Sequence, residues 1–362
     1  MRILILSHQF FPDIGGIEIN SEILGYSFSK LGHEIHLVTW TEYTGPDNFP
    51  FKVIRNPSFR TLFAQHNWAD VILENNPCLR LAWPNLFFRK ISVVVLNTWV
   101  SRMDGTLGLQ DRLKFVWLKR ASRVIAVSDA VRNICFKNAK VIGNPYSSEK
   151  FKILKENPRD KTFVFLGRLV SDKGADLAIR ALCQLIMDSK VDKRESPYSL
   201  TIIGDGPELQ VLQTLAIDLK VINNLTFKGS MTGIQLTACL NEHKYLLVPS
   251  LWKEPFGNVA LEGLACGCIP IVSDGGGLPD AIGMAGLVFQ RGNLISLVST
   301  MKKLIKDTNL QERLKLNAIS HLEKHQPDVV GKQYLDVIVE AYELISNCKR
   351  AYSCDCSSST LK

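Results

Sequence analysis

Short runs of apolar, largely β-branched residues recur along this chain without polar alternation, and this pattern constrains the fold more than any other feature. RILILS at 2–7, IHLVTW at 35–40, ADVILEN at 69–75, SVVVLNT at 92–98, RVIAVS at 123–128 and KVIGNP at 140–145 form a first series. TFVFLG, SLTIIG, NLTFKG, KYLLVPS and IPIVSD form a second series after residue 160. A strand wetted on one face alternates apolar with polar residues, whereas a parallel strand covered by helices on both faces does not. Between the runs, apolar residues recur at helical spacing, as Ile19, Ile23, Leu24, Phe28 and Leu31 do. The expected fold is therefore α/β, with two doubly wound, Rossmann-like parallel sheets. At 362 residues the chain is also long for one core, which favours two domains.

The polar stretch 145–161, PYSSEKFKILKENPRDK, is bracketed by Pro145 and Pro158 and marks the boundary. The expected organisation is an N-terminal domain over 1–150 and a second domain over 151–326. An amphipathic helix over 327–349, built on Tyr334, Val337, Ile338, Ala341, Leu344 and Ile345, follows, with a disordered tail over 350–362. No run reaches the roughly 20 apolar residues of a spanning helix, and 91–100 (ISVVVLNTWV) reads as a buried strand. The N-terminus has too short an apolar run, and no small-residue cleavage site, for a signal peptide. Together these features point to the cytoplasm. Nine cysteines are scattered rather than framed. Cys135, Cys183, Cys239, Cys266 and Cys268 fall in apolar patterns, where reduced thiols act as small hydrophobes. Cys354 and Cys356 alone are too few for a zinc site.

The net charge of +8 is uneven, since residues 1–150 hold 18 Lys and Arg against 12 Asp and Glu. Within them, RLKFVWLKRASR at 112–123 interleaves Arg112, Lys114, Lys119, Arg120 and Arg123 with large apolar residues. A helix packed on a sheet with a solvated basic face accounts for this. Peripheral contact with an anionic membrane surface or a lipid-diphosphate acceptor is the sharper reading. No nucleic-acid-binding module accompanies the charge.

Residues 249–286, PSLWKEPFGNVALEGLACGCIPIVSDGGGLPDAIGMAG, carry two carboxylates, Glu254 and Glu262, with seven residues between them. Pro255, Gly257 and Asn258 suit the tight start of a helix, which puts Glu254 in a loop and Glu262 about one turn into the helix. Both can then reach one ligand, and the unpaired N–H groups of the helix start point to the same place. Hydroxyl acceptors beside an anion site suit a phosphorylated sugar. Arg168 and Lys173 follow the run ending at 166 and precede a helix starting near Gly174. Two cations at a strand's carboxyl end suit a diphosphate, which Arg holds bidentately and Lys as a point charge; an exposed loop pair is the plain alternative. Gly15 and Gly16, after the first strand, let the backbone approach a ligand, or simply turn the chain into a helix. No G-x-G-x-x-G follows that strand, which counts against a dinucleotide dehydrogenase. Gly204-Asp205-Gly206-Pro207 reads as a turn and helix start with room for backbone contact to a nucleotide.

The 249–286 segment resembles the donor-site signature of retaining glycosyltransferases of family 4, which have the two-domain GT-B fold. LGRLVSDKGADLAIRAL at 166–182, IIGDGPEL at 202–209 and HQFFPDIGGIE at 8–18 resemble the same family in the same order, so the likeness covers nearly the whole chain. It implies two Rossmann-like domains facing across a cleft, with the final helix crossing back to the first. It also implies transfer of a hexosyl unit from a nucleoside diphosphate sugar to a hydroxyl of a glycan or lipid-linked glycan, with retained anomeric configuration. By the resemblance, Arg168 and Lys173 hold the diphosphate, Glu262 accepts ribose hydroxyls and Glu254 faces the donor sugar. Gly16, Gly204, Phe256, Gly257 and Asn258 complete the donor side. UDP or GDP is the expected carrier ahead of ADP, with no cofactor. No D-x-D occurs in the sequence, so metal independence is expected. Many members place a His just after the strand corresponding to 92–96, whereas this chain reads Asn97-Thr98-Trp99. His8, Asn97 and Trp99 are therefore the acceptor-side candidates. A catalytically silent nucleotide-sugar binding partner and a sugar-nucleotide epimerase of similar fold are the competing readings.

Overall fold

A computed structural model describes residues 1–13, 15–101, 106–154, 158–191 and 198–357. The chain divides into two units, Met1–Pro145 with Pro327–Lys362 and Tyr146–Gln326. The division follows Pro145, the first residue of the polar stretch, rather than residue 150.

The first unit runs β1 (Arg2–Leu6), α1 (Gly16–Lys30), β2 (Glu34–Thr39), β3 (Lys52–Arg55), α2 (Phe59–Trp68) and β4 (Val71–Asn75). It continues through α3 (Leu79–Ala82), α4 (Asn85–Phe88), β5 (Ile91–Leu96), α5 (Leu109–Leu118), β6 (Arg123–Ala126), α6 (Asp129–Cys135) and β7 (Lys140–Val141). Its seven strands are all parallel, in the order β3-β2-β1-β4-β5-β6-β7. Ile3 to Leu6 of β1 and Val93 to Leu96 of β5 are fully buried, as continuous apolar runs require. Each such side chain contributes about 1.5–3 kcal/mol by leaving water.

The second unit runs β8 (Lys161–Leu166), α7 (Ala175–Val191), β9 (Leu200–Ile203), α8 (Leu209–Asp218), β10 (Leu225–Gly229), α9 (Gly233–Asn241) and β11 (His243–Val248). After it come α10 (Asn258–Ala265), β12 (Ile269–Ser273), α11 (Leu278–Ile282), β13 (Leu287–Phe289), α12 (Leu294–Lys306) and α13 (Thr308–Lys324). These six strands are also parallel, in the order β10-β9-β8-β11-β12-β13. Phe163, Phe165, Ile202, Leu247 and Ile271 from the strands pack with Ala178, Leu182, Leu297 and Met301 from α7 and α12.

Two strands lie outside the expected set, β3 and β13, and both are sheet edges. An edge strand needs no continuous apolar run. β3 is only partly buried, and Val288 at the centre of β13 is 44% exposed.

α14 (Pro327–Ser357) returns to the first unit, where Val330, Tyr334, Val337, Ile338 and Ala341 are buried, packed against α1 and β5. Gly331 permits the approach, because a Cβ there would collide with Ser27 of α1. The Ser27 hydroxyl donates to the Pro327 carbonyl at 3.1 Å, and Lys30 pairs with Asp328 at 2.6 Å. The helix continues past residue 349, where a tail was expected: no Gly or Pro follows Gly331 to stop it. Residues 358–362 and the side chains of Cys354 and Cys356 lie outside the described residues. Cys135, Cys183, Cys239, Cys266 and Cys268 are buried free thiols, as their apolar surroundings predict, and so is Cys78.

Candidate active site

In the second sheet the chain steps outward from β8 to β9 and β10, then returns to start β11 on the other side of β8. Loops leaving the carboxyl ends of β8 and β11 therefore part in opposite directions, and such a switch point is where open α/β sheets bind ligands. Arg168 and Lys173 lie on the first of these loops, which ends in a 3₁₀ turn over Ser171–Lys173. Glu254 lies on the second.

Backbone contacts clamp the loops together. The amides of Leu251 and Trp252 both donate to the Asp172 carbonyl, at 2.8 and 3.1 Å. Gly174 has a φ of +73°, and a side chain there would strike the Pro249 carbonyl. The third loop, after β12, holds Glu254 from behind, with the Gly277 amide donating to the Glu254 carbonyl at 2.7 Å. A fourth loop, 204–208, packs on the Arg168 segment: the Leu169 amide donates to the Asp205 carbonyl and the Glu208 amide to the Leu169 carbonyl. Gly204 and Gly206 make this possible, since a Cβ on either would collide with the carbonyl of Gly167 or Leu169. Their role here is close packing of backbone that sets Arg168 in place.

The ammonium of Lys173 lies 2.5 Å from Glu254 Oε1, both side chains being less than a fifth exposed. Ser250 Oγ donates to the same carboxylate oxygen at 3.0 Å, and the Trp252 ring centroid is 5.0 Å from Lys173 Nζ. The Ser250 carbonyl in turn accepts from Ser273 Oγ at 2.8 Å. An ion pair with so little water around it needs such extra contacts to offset lost hydration. Arg168 is exposed and has no ion-pair partner among the described residues.

α10 starts at Asn258 after Gly257, whose φ of +115° excludes most side chains. No side chain caps the helix at Gly257, and the positive end of its dipole adjoins the Glu254 loop. Glu262 sits in α10, half-buried, and its carboxylate has no hydrogen-bond partner among the described residues. Burial pushes that carboxyl up to about 7. Phe256 is buried and packs against the His325 ring at 5.7 Å, so it anchors the loop.

The remaining candidates belong to the first unit. Its switch point lies between β1 and β4, where five neutral side chains, Ser7, Asn20, Ser21, Asn75 and Asn97, bond to one another. Ser21 Oγ meets Ser7 Oγ at 2.8 Å and accepts from Asn75 Nδ2 at 2.6 Å, and Asn75 Nδ2 also reaches the Ile17 carbonyl at 3.0 Å. Asn97 Nδ2 donates to Asn75 Oδ1 at 2.6 Å, while Asn97 Oδ1 accepts from Asn20 at 3.1 Å. Both ends of the Asn97 side chain are thus engaged in fixing the start of α1. Gly16 is the first residue of α1, behind an extended Gly15, with Glu18 of the same turn reaching back over Gly15. The His8 side chain is exposed, and its carbonyl accepts from Thr39 Oγ1 and the Trp40 amide. Trp99 is half-buried beyond β5. Ser128 caps α6 by accepting from the Val131 amide at 3.1 Å.

Sequence reasoning missed Ser250 and Trp252, although both lie in the quoted 249–286 segment. A Ser and a Trp four and two residues before a Glu carry no signal until the loops are folded. It also missed Glu74, fully buried at the end of β4, which accepts from Trp117 Nε1 at 2.8 and 3.0 Å and from the Cys78 amide at 3.3 Å. Burial pushes this carboxyl, too, up to about 7.

Comparison with known proteins places this geometry in a family. Residues 147–321 match the family model described as Glycosyl transferases group 1. An uncharacterized glycosyltransferase of Methanocaldococcus jannaschii is 30% identical over 95% of this chain and 100% of its own. The GPI3 subunit of the Saccharomyces cerevisiae phosphatidylinositol N-acetylglucosaminyltransferase is 25% identical over 98% of this chain and 84% of its own. Among solved structures, Anabaena HepE in complex with UDP and glucose superposes with a TM-score of 0.77 at 19% identity, covering 94% of this chain and 100% of that one. Sucrose-phosphate synthase from Thermosynechococcus elongatus gives 0.76 at 18% identity, over 95% and 99%. These likenesses establish the fold, which is GT-B. With relatives alike over the whole length and the family model matching the unit that holds Arg168, Lys173, Glu254 and Glu262, the chain belongs to the group 1 glycosyl transferases.

Proposed function

We propose that this glycosyltransferase moves a hexosyl unit from a nucleoside diphosphate sugar to a hydroxyl of a glycan or lipid-linked glycan, retaining the anomeric configuration and needing no metal. The observation that carries the reading is the Lys173–Glu254 pair at the switch point, with an Arg168 that has no ion-pair partner among the described residues on the same loop as Lys173. Arg168, Lys173 and the α10 dipole offer fixed positive charge where a leaving diphosphate gains negative charge. Glu254 and Glu262, the latter with no hydrogen-bond partner among the described residues, offer acceptors for the hydroxyls of donor sugar and ribose. The acceptor oxygen bonds to the anomeric carbon as the carbon–oxygen bond to the diphosphate breaks, and the departing phosphate oxygen takes the acceptor's proton. The binding of UDP and glucose by HepE supports a uridine donor. The name of the GPI3 relative, a phosphatidylinositol-modifying transferase, supports a lipid acceptor.

Membrane contact at the inner face is part of this reading. Leu109, Leu113 and Val116 stand one to two turns apart on α5, are 76, 52 and 59% exposed, and are flanked by Arg112, Lys119 and Arg120. An apolar stripe edged with cations suits an anionic lipid surface. No described helix is long and apolar enough to cross a membrane.

The test is thermal stabilisation by UDP, GDP and ADP in EDTA, followed by release of nucleoside diphosphate from the matching sugar donor. Stabilisation by UDP or GDP, weakened in Glu262→Ala, is expected. Stabilisation by none of them, or release of an epimerised nucleotide sugar, would overturn the reading.

A further inference from the structure

At the carboxyl ends of β2, β3 and β4, the first unit holds a cavity of about 330 Å³ lined by Trp40, Pro57, Phe59, Leu62, Arg80 and Trp83. Trp40 directly follows β2, Pro57 and Phe59 follow β3, and Arg80 and Trp83 follow β4 through α3. The Trp40 amide donates to the His8 carbonyl, so the cavity wall also touches the loop after β1. This is the end of the sheet where open α/β units bind ligands.

The lining is the rim of a core, since Leu62 is buried and Trp40 and Trp83 pack against the same cluster. Phe59 is 74% exposed at the first turn of α2, with its ring 5.6 Å from that of Trp83. Phe63 supports Trp83 from a second side at 5.1 Å. Aromatic area left in water is unfavourable, by about 25 cal/mol per Å², which makes an occupant favourable. Trp40 Nε1 is buried with no hydrogen-bond partner among the described residues, although buried indole N–H groups normally have one. The Arg80 guanidinium lies over the Trp40 ring at 5.6 Å and has no carboxylate partner among the described residues. Aromatic walls with one convergent cation, in a concavity of this size, have the make-up of a small-molecule site.

We propose that this cavity is an acceptor subsite that takes a pyranose ring bearing an anionic substituent, a carboxylate or a phosphate. The C–H face of the ring lies on Trp83 and Phe59, and Arg80 holds the anion in its planar fork. The concave shape and single cation fit a discrete ring rather than a bilayer, for which α5 offers the convex apolar stripe. The inference deepens the transferase reading and rests on it for the word acceptor.

Tryptophan fluorescence of the full chain is titrated with methyl β-D-glucuronide, glucose 6-phosphate, methyl β-D-glucoside and inorganic phosphate, with a parallel arm of phosphatidylglycerol vesicles. The two charged sugars are expected to bind at least about tenfold more tightly than the neutral one, a difference of about 1.4 kcal/mol. Arg80→Gln should erase that preference, and Trp83→Leu should weaken all three. Phe59→Ala, at an exposed position, repeats the second test if Trp83→Leu does not fold. Phosphate binding as tightly as glucose 6-phosphate would overturn the sugar assignment. A response to vesicles alone, reduced by Trp83→Leu, would assign the surface to lipid and overturn it as well. Saccharide binding by wild-type protein that UDP fails to stabilise would sink the transferase reading and leave the cavity assignment standing.

Discussion

At the β1–β4 switch point of the first sheet Ser7, Asn20, Ser21, Asn75 and Asn97 are neutral and bonded to one another. At that of the second sheet the candidate side chains are charged, and Arg168 and Glu262 have no partners among the described residues. The two raised carboxyls repeat the contrast. Glu74 is fully buried and accepts three hydrogen bonds, whereas Glu262 is half-buried and accepts none. A buried network bonded this closely, with only Asn20 Oδ1 of its members left without a partner among the described residues, rigidifies a loop. An unsatisfied charged set keeps its binding capacity for something that arrives later. The same topology thus supports a braced switch point in one unit and a receptive switch point in the other.

The largest effect should come from Lys173→Ala, with a loss of about 10²–10³-fold in diphosphate release, the scale of removing one charge-stabilising donor. Combining it with Glu254→Gln should restore part of the thermal midpoint, by removing an unpaired carboxylate, without restoring turnover. Retained turnover in the single variant would erase the contrast between the two switch points. Asn75→Ala should lower stability by about 1–3 kcal/mol in denaturant titrations, by orphaning its buried partners, while leaving UDP affinity unchanged. A change in UDP affinity instead would mean that the braced switch point is not merely braced.

A smaller effect concerns pH. Because the folded protein raises the Glu262 carboxyl from 4.5 to about 7, the native state binds more protons between those values. The stability contribution of this group therefore falls as pH rises through that window. Glu262→Gln should gain on the order of 1 kcal/mol at pH 8, discounted for its partial exposure, and nothing at pH 4. Glu74→Gln should gain less, since an amide nitrogen would face the Trp117 N–H. Equal gains would show that partners, not burial alone, fail to separate the two carboxyls. The smallest thermodynamic effect belongs to Leu113→Ser on α5, within about 0.5 kcal/mol in stability, with weaker flotation on anionic vesicles.

The central strands were legible because burial on both faces leaves an unalternated apolar run, as in Ile91–Leu96. β3 and β13 were not, because an edge strand is paired on one side and needs no such run. Arg168, Lys173, Glu254 and Glu262 were legible as charges at positions where chain geometry brings loops to strand ends. Ser250 and Trp252 were not, because their roles depend on how the β11 loop docks on Asp172. Asn97, an acceptor-side candidate by sequence, has its side chain bonded at both ends to Asn20 and Asn75, which no local pattern announces.

The return of α14 to the first unit bears on the order of biosynthesis. Residues 1–145 leave the ribosome ahead of 146–326, yet the surface that Tyr334, Val337 and Ile338 will cover on α1 and β5 stays open until the whole of 146–326 has been made. Of these two units, the one translated earlier is thus the later to be completed, and in that interval its open apolar face carries the aggregation hazard that chaperones counter.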